Sequence, residues 1–146
     1  MPELPNKLYQ QIVALCERGD AMAEQEDYDA ALVQYEEAWF LLPEPRSDWE
    51  AASWIQAAIG DAYFFTGDFD NAAQAFRTAL NSLEAQQNPF LHLRLGQCEF
   101  EMENLPTAGD ELIRAYMLGG DEVFEDEDPK YFEFLKSVAD SPEGGW

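Results

Sequence analysis

The chain has 146 residues, 47% of them apolar and 14% aromatic, which sets it apart from disordered chains and suffices for one domain with a core. Thirty acidic residues against eight basic give a formal charge of -22. Because Lys and Arg supply most nucleic-acid affinity by neutralising phosphates, that balance argues against nucleic acid and anionic membranes; it suits either a basic protein partner or solubility alone.

In chain order, Leu8, Ile12, Leu15 and Met22 keep a helical spacing from about residue 7 to 25. Tyr28, Ala31, Leu32, Tyr35, Ala38 and Trp39 recur at three and four in a second helix, closed by Pro43 and Pro45. Ser47 followed by Glu50 has the form of a capping box for a third helix, which carries Trp49, Ala52, Ile55, Ile59 and Tyr63 and ends at Gly67. A fourth runs from Phe69 to about Glu84, and Asn88-Pro89 caps a fifth that reaches about Glu103. Asn104 and Pro106 open a sixth, which stops at Gly119-Gly120. After the acidic stretch EVFEDED, Asp128-Pro129 starts a last short helix whose Tyr131, Phe132, Phe134 and Leu135 cover an end of the molecule, and SPEGGW reads as a loose tail. No segment alternates with the period of two that strands need, so the fold class is all-α.

Cys16 and Cys98 form no CxxC pair and read as free thiols of a reducing compartment. No apolar run of signal-peptide length opens the chain and no eighteen apolar residues stand together, so the expected location is cytoplasmic.

The helices repeat. Counting 12, 16 and 19 forward from Gly60 gives Ala72, Phe76 and Ala79. The same steps from Gly19 give Ala31, Tyr35 and Ala38, and from Gly96 give Ala108, Leu112 and Ala115. This recurrence resembles the tetratricopeptide repeat (TPR) family of 34-residue helix-turn-helix units, best in the middle copy, which carries Ile59-Gly60-Asp61-Ala62-Tyr63. The first copy has Arg18 before its glycine and Met22 in place of tyrosine, and the third has Glu99 there. The resemblance implies an α-solenoid of about three repeats, at about 8-45, 47-86 and 88-120, in a single domain with a capping helix at about 128-139. The glycines lie 41 and 36 residues apart, so insertions fall at EPRSDWE and EAQQNP.

In a stack of this kind the first helix of each pair lines a concave groove. Projected onto those helices, the face away from the glycine carries Asp20 and Glu24 in the first copy, Trp54, Asp61, Phe64 and Phe65 in the second, and Phe90, Gln97, Phe100 and Glu101 in the third. These ten are the candidate partner-binding residues, aromatic and acidic together. Val13, Cys16, Ala23, Ala57 and Leu93 fall on the same projection. TPR domains that hold the acidic C-termini of heat-shock chaperones need a clamp of Lys, Arg and Asn, and these positions offer carboxylates instead.

Nothing points to an enzyme, a cofactor or a metal. His92 is the only histidine and reads as a helix-face residue, and Glu125-Asp126-Glu127-Asp128 lacks the glycine and spaced oxygens of an EF-hand loop, reading instead as a solvated linker with a helix cap. Both ends of the chain are strongly acidic, with 12 acids and 3 bases in residues 1-50 and 13 and 3 in residues 101-146, whereas the middle is apolar. The chain also resembles small bacterial TPR proteins that act as immunity partners of polymorphic toxins, its ending GGDEVFEDEDPKYFEFLKS being the similar part. That resemblance implies an acidic protein neutralising a basic toxin such as a nuclease. Two alternatives stand beside it: a secretion-system chaperone holding an extended export substrate, and a scaffold or homodimer built through the exposed end of the stack, which Trp49, Trp54 and the C-terminal aromatics support.

Overall fold

The computed structural model describes residues 3–146. Its α-helices are α1 (Asn6–Glu24), α2 (Tyr28–Leu41), α3 (Glu50–Phe65), α4 (Phe69–Ala79), α5 (Pro89–Glu101), α6 (Leu105–Gly119) and α7 (Pro129–Val138), with 3-10 turns at Arg46–Asp48, Ala85–Gln87 and Asp121–Phe124. No strand occurs among the described residues. The helices pack as three hairpins, α1 on α2, α3 on α4 and α5 on α6, stacked in order with α7 at the end.

The repeated spacing has a direct steric basis. A Cβ placed on Gly19 would lie 2.5 Å from the Tyr35 ring, one on Gly60 2.7 Å from the Phe76 ring, and one on Gly96 2.8 Å from the Leu112 side chain. In every copy the large residue sixteen positions on fills the space its glycine leaves. The two small positions that follow the same count are closed as well, since Ala31, Ala38, Ala72, Ala79, Ala108 and Ala115 are all buried. Apolar burial forms three neighbouring clusters, of which the first two bridge one hairpin to the next and the third joins the last hairpin to α7. The first holds Ile12, Tyr35 and Ile55, the second Ala72, Phe76 and Leu91, the third Leu93, Leu112 and Leu135. A hairpin unable to bury both faces alone is thereby closed by its neighbour.

The turns inside the hairpins also match. Glu26, Gly67 and Glu103 hold the same place and all have positive φ, of 60°, 82° and 63°. The next residue's N–H reaches back to the carbonyl five positions earlier: Asp27 to Met22, Asp68 to Tyr63, Asn104 to Glu99. Only the middle copy has the residue type that takes this conformation without strain. Glu26→Gly and Glu103→Gly are each expected to raise stability by about 0.5–1 kcal/mol in urea unfolding, and Gly67→Ala to lower it by about 1 kcal/mol.

The helix starts follow the capping chemistry. Asp27 accepts from Ala30 N and Asp68 from Asn71 N, both at 3.3 Å, Asn88 accepts from Phe90 N at 2.9 Å, and Asp128 from Lys130 N at 3.0 Å. Three expectations need correction. Ser47 and Glu50 form no capping box: residues 46–48 wind into a 3-10 turn and α3 starts with no side-chain cap. The fourth helix stops at Ala79, short of Glu84, because Ser53 of α3 donates to the Ala79 carbonyl at 2.8 Å and Ser82 Oγ accepts from Ala85 N at 3.0 Å, starting a separate turn. The tail is not loose at its tip, where the Trp146 ring lies 5.1 Å from Tyr116 and 5.9 Å from Phe132. Glu99, where the family has tyrosine, is 2% exposed; it pairs with Arg77 of α4 and accepts from Asn104 Nδ2 at 2.9 Å.

Candidate functional site

Asp61 and Gln97 hold one register position on the first helices, Phe64 and Phe100 another. The structure shows what this face meets. Phe100 packs against α7, with ring centroids 5.4 Å from Tyr131 and 5.1 Å from Phe134. Gln97 has no exposed surface; its Oε1 accepts from Arg94 at 2.8 Å and its Nε2 donates to Glu127 at 2.7 Å. Leu93 is 1% exposed in the third cluster, and Cys16 is buried in the first. The projected face is therefore largely the seam along which successive first helices and α7 meet, and Gln97 and Phe100 are taken up by the fold.

At the centre of this seam stands Arg94, a residue the sequence reading passed over. Its Nε donates to Asp61 Oδ1 at 3.1 Å and its Nη1 pairs with Glu127. Its guanidinium carbon lies 4.9 Å from the Phe64 ring centroid and 5.3 Å from that of Phe65. Burial pushes the Asp61 carboxyl above its ordinary range, with Arg94 pulling the other way. Glu127 comes from the acidic run, which does not simply face solvent: Val123 and Phe124 just before it are buried, Glu127 turns inward, and Asp128 caps α7. Glu101 is also engaged, by Lys130 Nζ at 2.6 Å and the Tyr131 hydroxyl at 2.8 Å. Burial and that hydrogen bond raise the Tyr131 phenol, and the bond to Glu101 raises Lys130.

The first two copies keep more of this face open. Asp20 accepts from the Tyr35 hydroxyl at 2.6 Å yet is exposed, as is Glu24. Phe65 is 53% exposed and stacks on Tyr28 with centroids 5.9 Å apart. Phe64 is half-buried between Phe65, Phe69 and Arg94. Trp54 is half-buried at the far end of α3, and Phe90 is 58% exposed at the start of α5.

His92 lies on the face of α5 that is turned into the fold. It is 6% exposed, with Nδ1 2.7 Å from Glu111 Oε2 and Nε2 2.8 Å from the Gln86 carbonyl, so it ties α5 to α6 and to the preceding turn. Both thiols are buried, and burial pushes Cys16 up to about 11 and Cys98 up to about 12. At neutral pH they are protonated and poor nucleophiles.

Arg94 did leave a trace in the sequence: one of only eight bases sits in an apolar helix, two residues before the repeat glycine, where the other copies have Glu17 and Ala58. Glu127 left none, because nothing local separates it from the acids around it.

Glycine-mediated hairpins in register, matching turns and a terminal covering helix define the fold as a TPR-type α-solenoid. Among solved structures the chain is similar to the Arabidopsis OM64 TPR domain, at 17% identity over 90% of this chain and 99% of that one, with a TM-score of 0.72. It is likewise similar to the first TPR of Spaghetti (RPAP3) bound to an HSP90 peptide, at 19% identity over 88% and 93% with a TM-score of 0.67. A third is the Yersinia enterocolitica type III secretion chaperone SycD in complex with a peptide of the translocator YopD, at 15% identity over 92% and 94% with a TM-score of 0.69. At these identities the likeness is one of fold. No protein-family model matches the chain, and neither does any curated protein. No helix among the described residues is long and apolar enough to cross a membrane.

Proposed function

We propose that this chain is a non-catalytic binding module for a basic protein, and that its role is to neutralise a basic toxin, such as a nuclease, as an immunity partner. The observation that carries the basic partner is the charge state of the first-helix face. Arg94 on that face and Lys130 of α7 beside it are already matched by Asp61, Glu127 and Glu101. Asp20 and Glu24 are exposed, as is Phe65, and the two carboxylates have no basic partner among the described residues. Rings supply the contact area, and the field of a -22 chain steers the encounter. The HSP90 and HSP70 peptides bound to the RPAP3 TPR domains end in EEVD. A ligand of that kind meets no lysine or arginine at the ten candidate positions, which carry Asp20, Glu24, Asp61 and Glu101 instead.

A second reading, an export chaperone, is supported by the likeness to SycD, which holds a peptide of its translocator. The two are separated by affinity capture from the native cell followed by co-expression. The expected partner has a high isoelectric point, its binding weakens about tenfold or more between about 50 mM and about 500 mM salt, and the chain rescues growth of cells expressing it. An acidic partner, or binding indifferent to salt, would sink the electrostatic reading. A non-toxic export substrate would select the chaperone.

A further inference from the structure

A cleft of about 870 Å³ opens where the start of α1 meets the start of α3. Its aromatic walls are Tyr9, Trp49 and Trp54, and the carboxylates of Glu3, Asp48, Glu50 and Glu84 stand around them. No Lys, Arg or His lines it, and none of the four carboxylates forms a salt bridge among the described residues. Two other clefts differ in that respect: Arg46 lines the one beside Trp39, and Arg77 and Arg114 line the one beside His92. The indole N–H of Trp49 is committed to the Pro43 carbonyl at 2.8 Å, so what this ring adds is carbon surface rather than a donor.

We infer that this cleft is a socket for a lysine or arginine side chain of the protein partner, the cation resting on the aromatic walls within the ring of carboxylates; this rests on the reading of the chain as a module for a basic protein. The molecule uses the same combination on its own cations. Arg94 lies on Phe64 and Phe65 between Asp61 and Glu127, and Arg46 lies 5.6 Å from the Trp39 ring and 5.4 Å from Phe40 while pairing with Glu44. Aromatic faces attract cations through their quadrupole, and flanking carboxylates add Coulombic attraction and exclude anions. Four carboxylates without a basic partner repel acidic side chains and favour a cation, so the cleft selects for charge.

The test titrates the full chain with a capped oligo-arginine peptide at low salt, following tryptophan fluorescence and indole N–H shifts. Saturable binding that moves Trp49 and Trp54 is expected. The double variant Glu50→Gln, Glu84→Gln alters only exposed side chains and is expected to bind about tenfold more weakly, as is Trp54→Leu. A control pair, Glu122→Gln with Glu125→Gln, removes the same charge elsewhere and should leave affinity within about twofold. Equal weakening by the control would overturn the socket, as would choline moving the same indoles at lower concentration than the peptide. If the cleft variants bind like the parent while Phe65→Ala loses binding, the socket falls and the binding-module reading stands. If the peptide does not bind at all, both fall.

Discussion

Phe76→Ala is expected to destabilise the chain by about 3–5 kcal/mol, read as a lower urea midpoint. The ring is 1% exposed at the middle of the stack, and a domain of this size has only about 5–15 kcal/mol in total, so the variant should be unfolded or close to it at 37 °C. The informative experiment is the cycle with Gly60. Gly60→Ala alone forces a methyl to within 2.7 Å of the Phe76 ring, and although alanine favours helix, a net cost of about 1–3 kcal/mol is expected because the ring has nowhere to move. With the ring removed, the clash is gone and the helix preference acts alone. Gly60→Ala should then stabilise the Phe76→Ala protein by about 1 kcal/mol. A reversal of sign means a coupling of at least about 2 kcal/mol. Additive effects would show that the glycine is not there to make room for the ring.

The second large effect is at Arg94. Replacing it by alanine leaves the Asp61 and Glu127 carboxylates facing each other in the seam without their shared partner, and uncovers Phe64 and Phe65. Fully buried pairs lose about 3–5 kcal/mol when broken in this way; Asp61 retains 48% exposure of its side chain, which lowers the expectation to about 2–3 kcal/mol. Arg94→Lys should recover less than half, because an ammonium cannot bridge Asp61, Gln97 and Glu127 while stacking on a ring. The deficit should also depend on pH. Burial already holds the Asp61 carboxyl above its ordinary value against the pull of Arg94, and loss of Arg94 raises it further. A carboxyl with a raised folded value favours the native state while protonated and loses that advantage as pH rises through the folded value. Arg94→Ala should therefore be least impaired near about pH 4 and most impaired near about pH 7. A deficit unchanged across that interval in thermal melts would show that Arg94 acts by packing alone.

The parts of the fold that were legible are those fixed by residue size at fixed spacing. Gly19, Gly60 and Gly96 with their partners sixteen positions on specify the hairpins, because a helix pair can approach that closely only where one side lacks a Cβ. The Asn88 and Asp128 caps were legible for the same reason, a short polar side chain at the residue before a proline. The candidate site was less so. Helical projection separates faces of a helix, but it cannot say which face the next first helix covers. Projection thus puts Gln97 and Phe100 on a groove, whereas α7 and the chain leading to it lie over them. The end of α4 was hidden because the group that closes it, Ser53, lies on a different helix.

Glu99 bears on how freely such a chain can be rebuilt. In a repeat array whose copies are interchangeable, a unit can be replaced by a consensus version with little effect on its neighbours. Here the residue that departs from the family pattern joins α4 of the second hairpin, through Arg77, to the turn of the third, through Asn104. A tyrosine restored at Glu99 would strand Arg77 and add bulk where a carboxylate now fits, so the third unit is tailored to the one before it. A shuffled or lengthened version of this solenoid would keep that junction intact by carrying Arg77, Glu99 and Asn104 together.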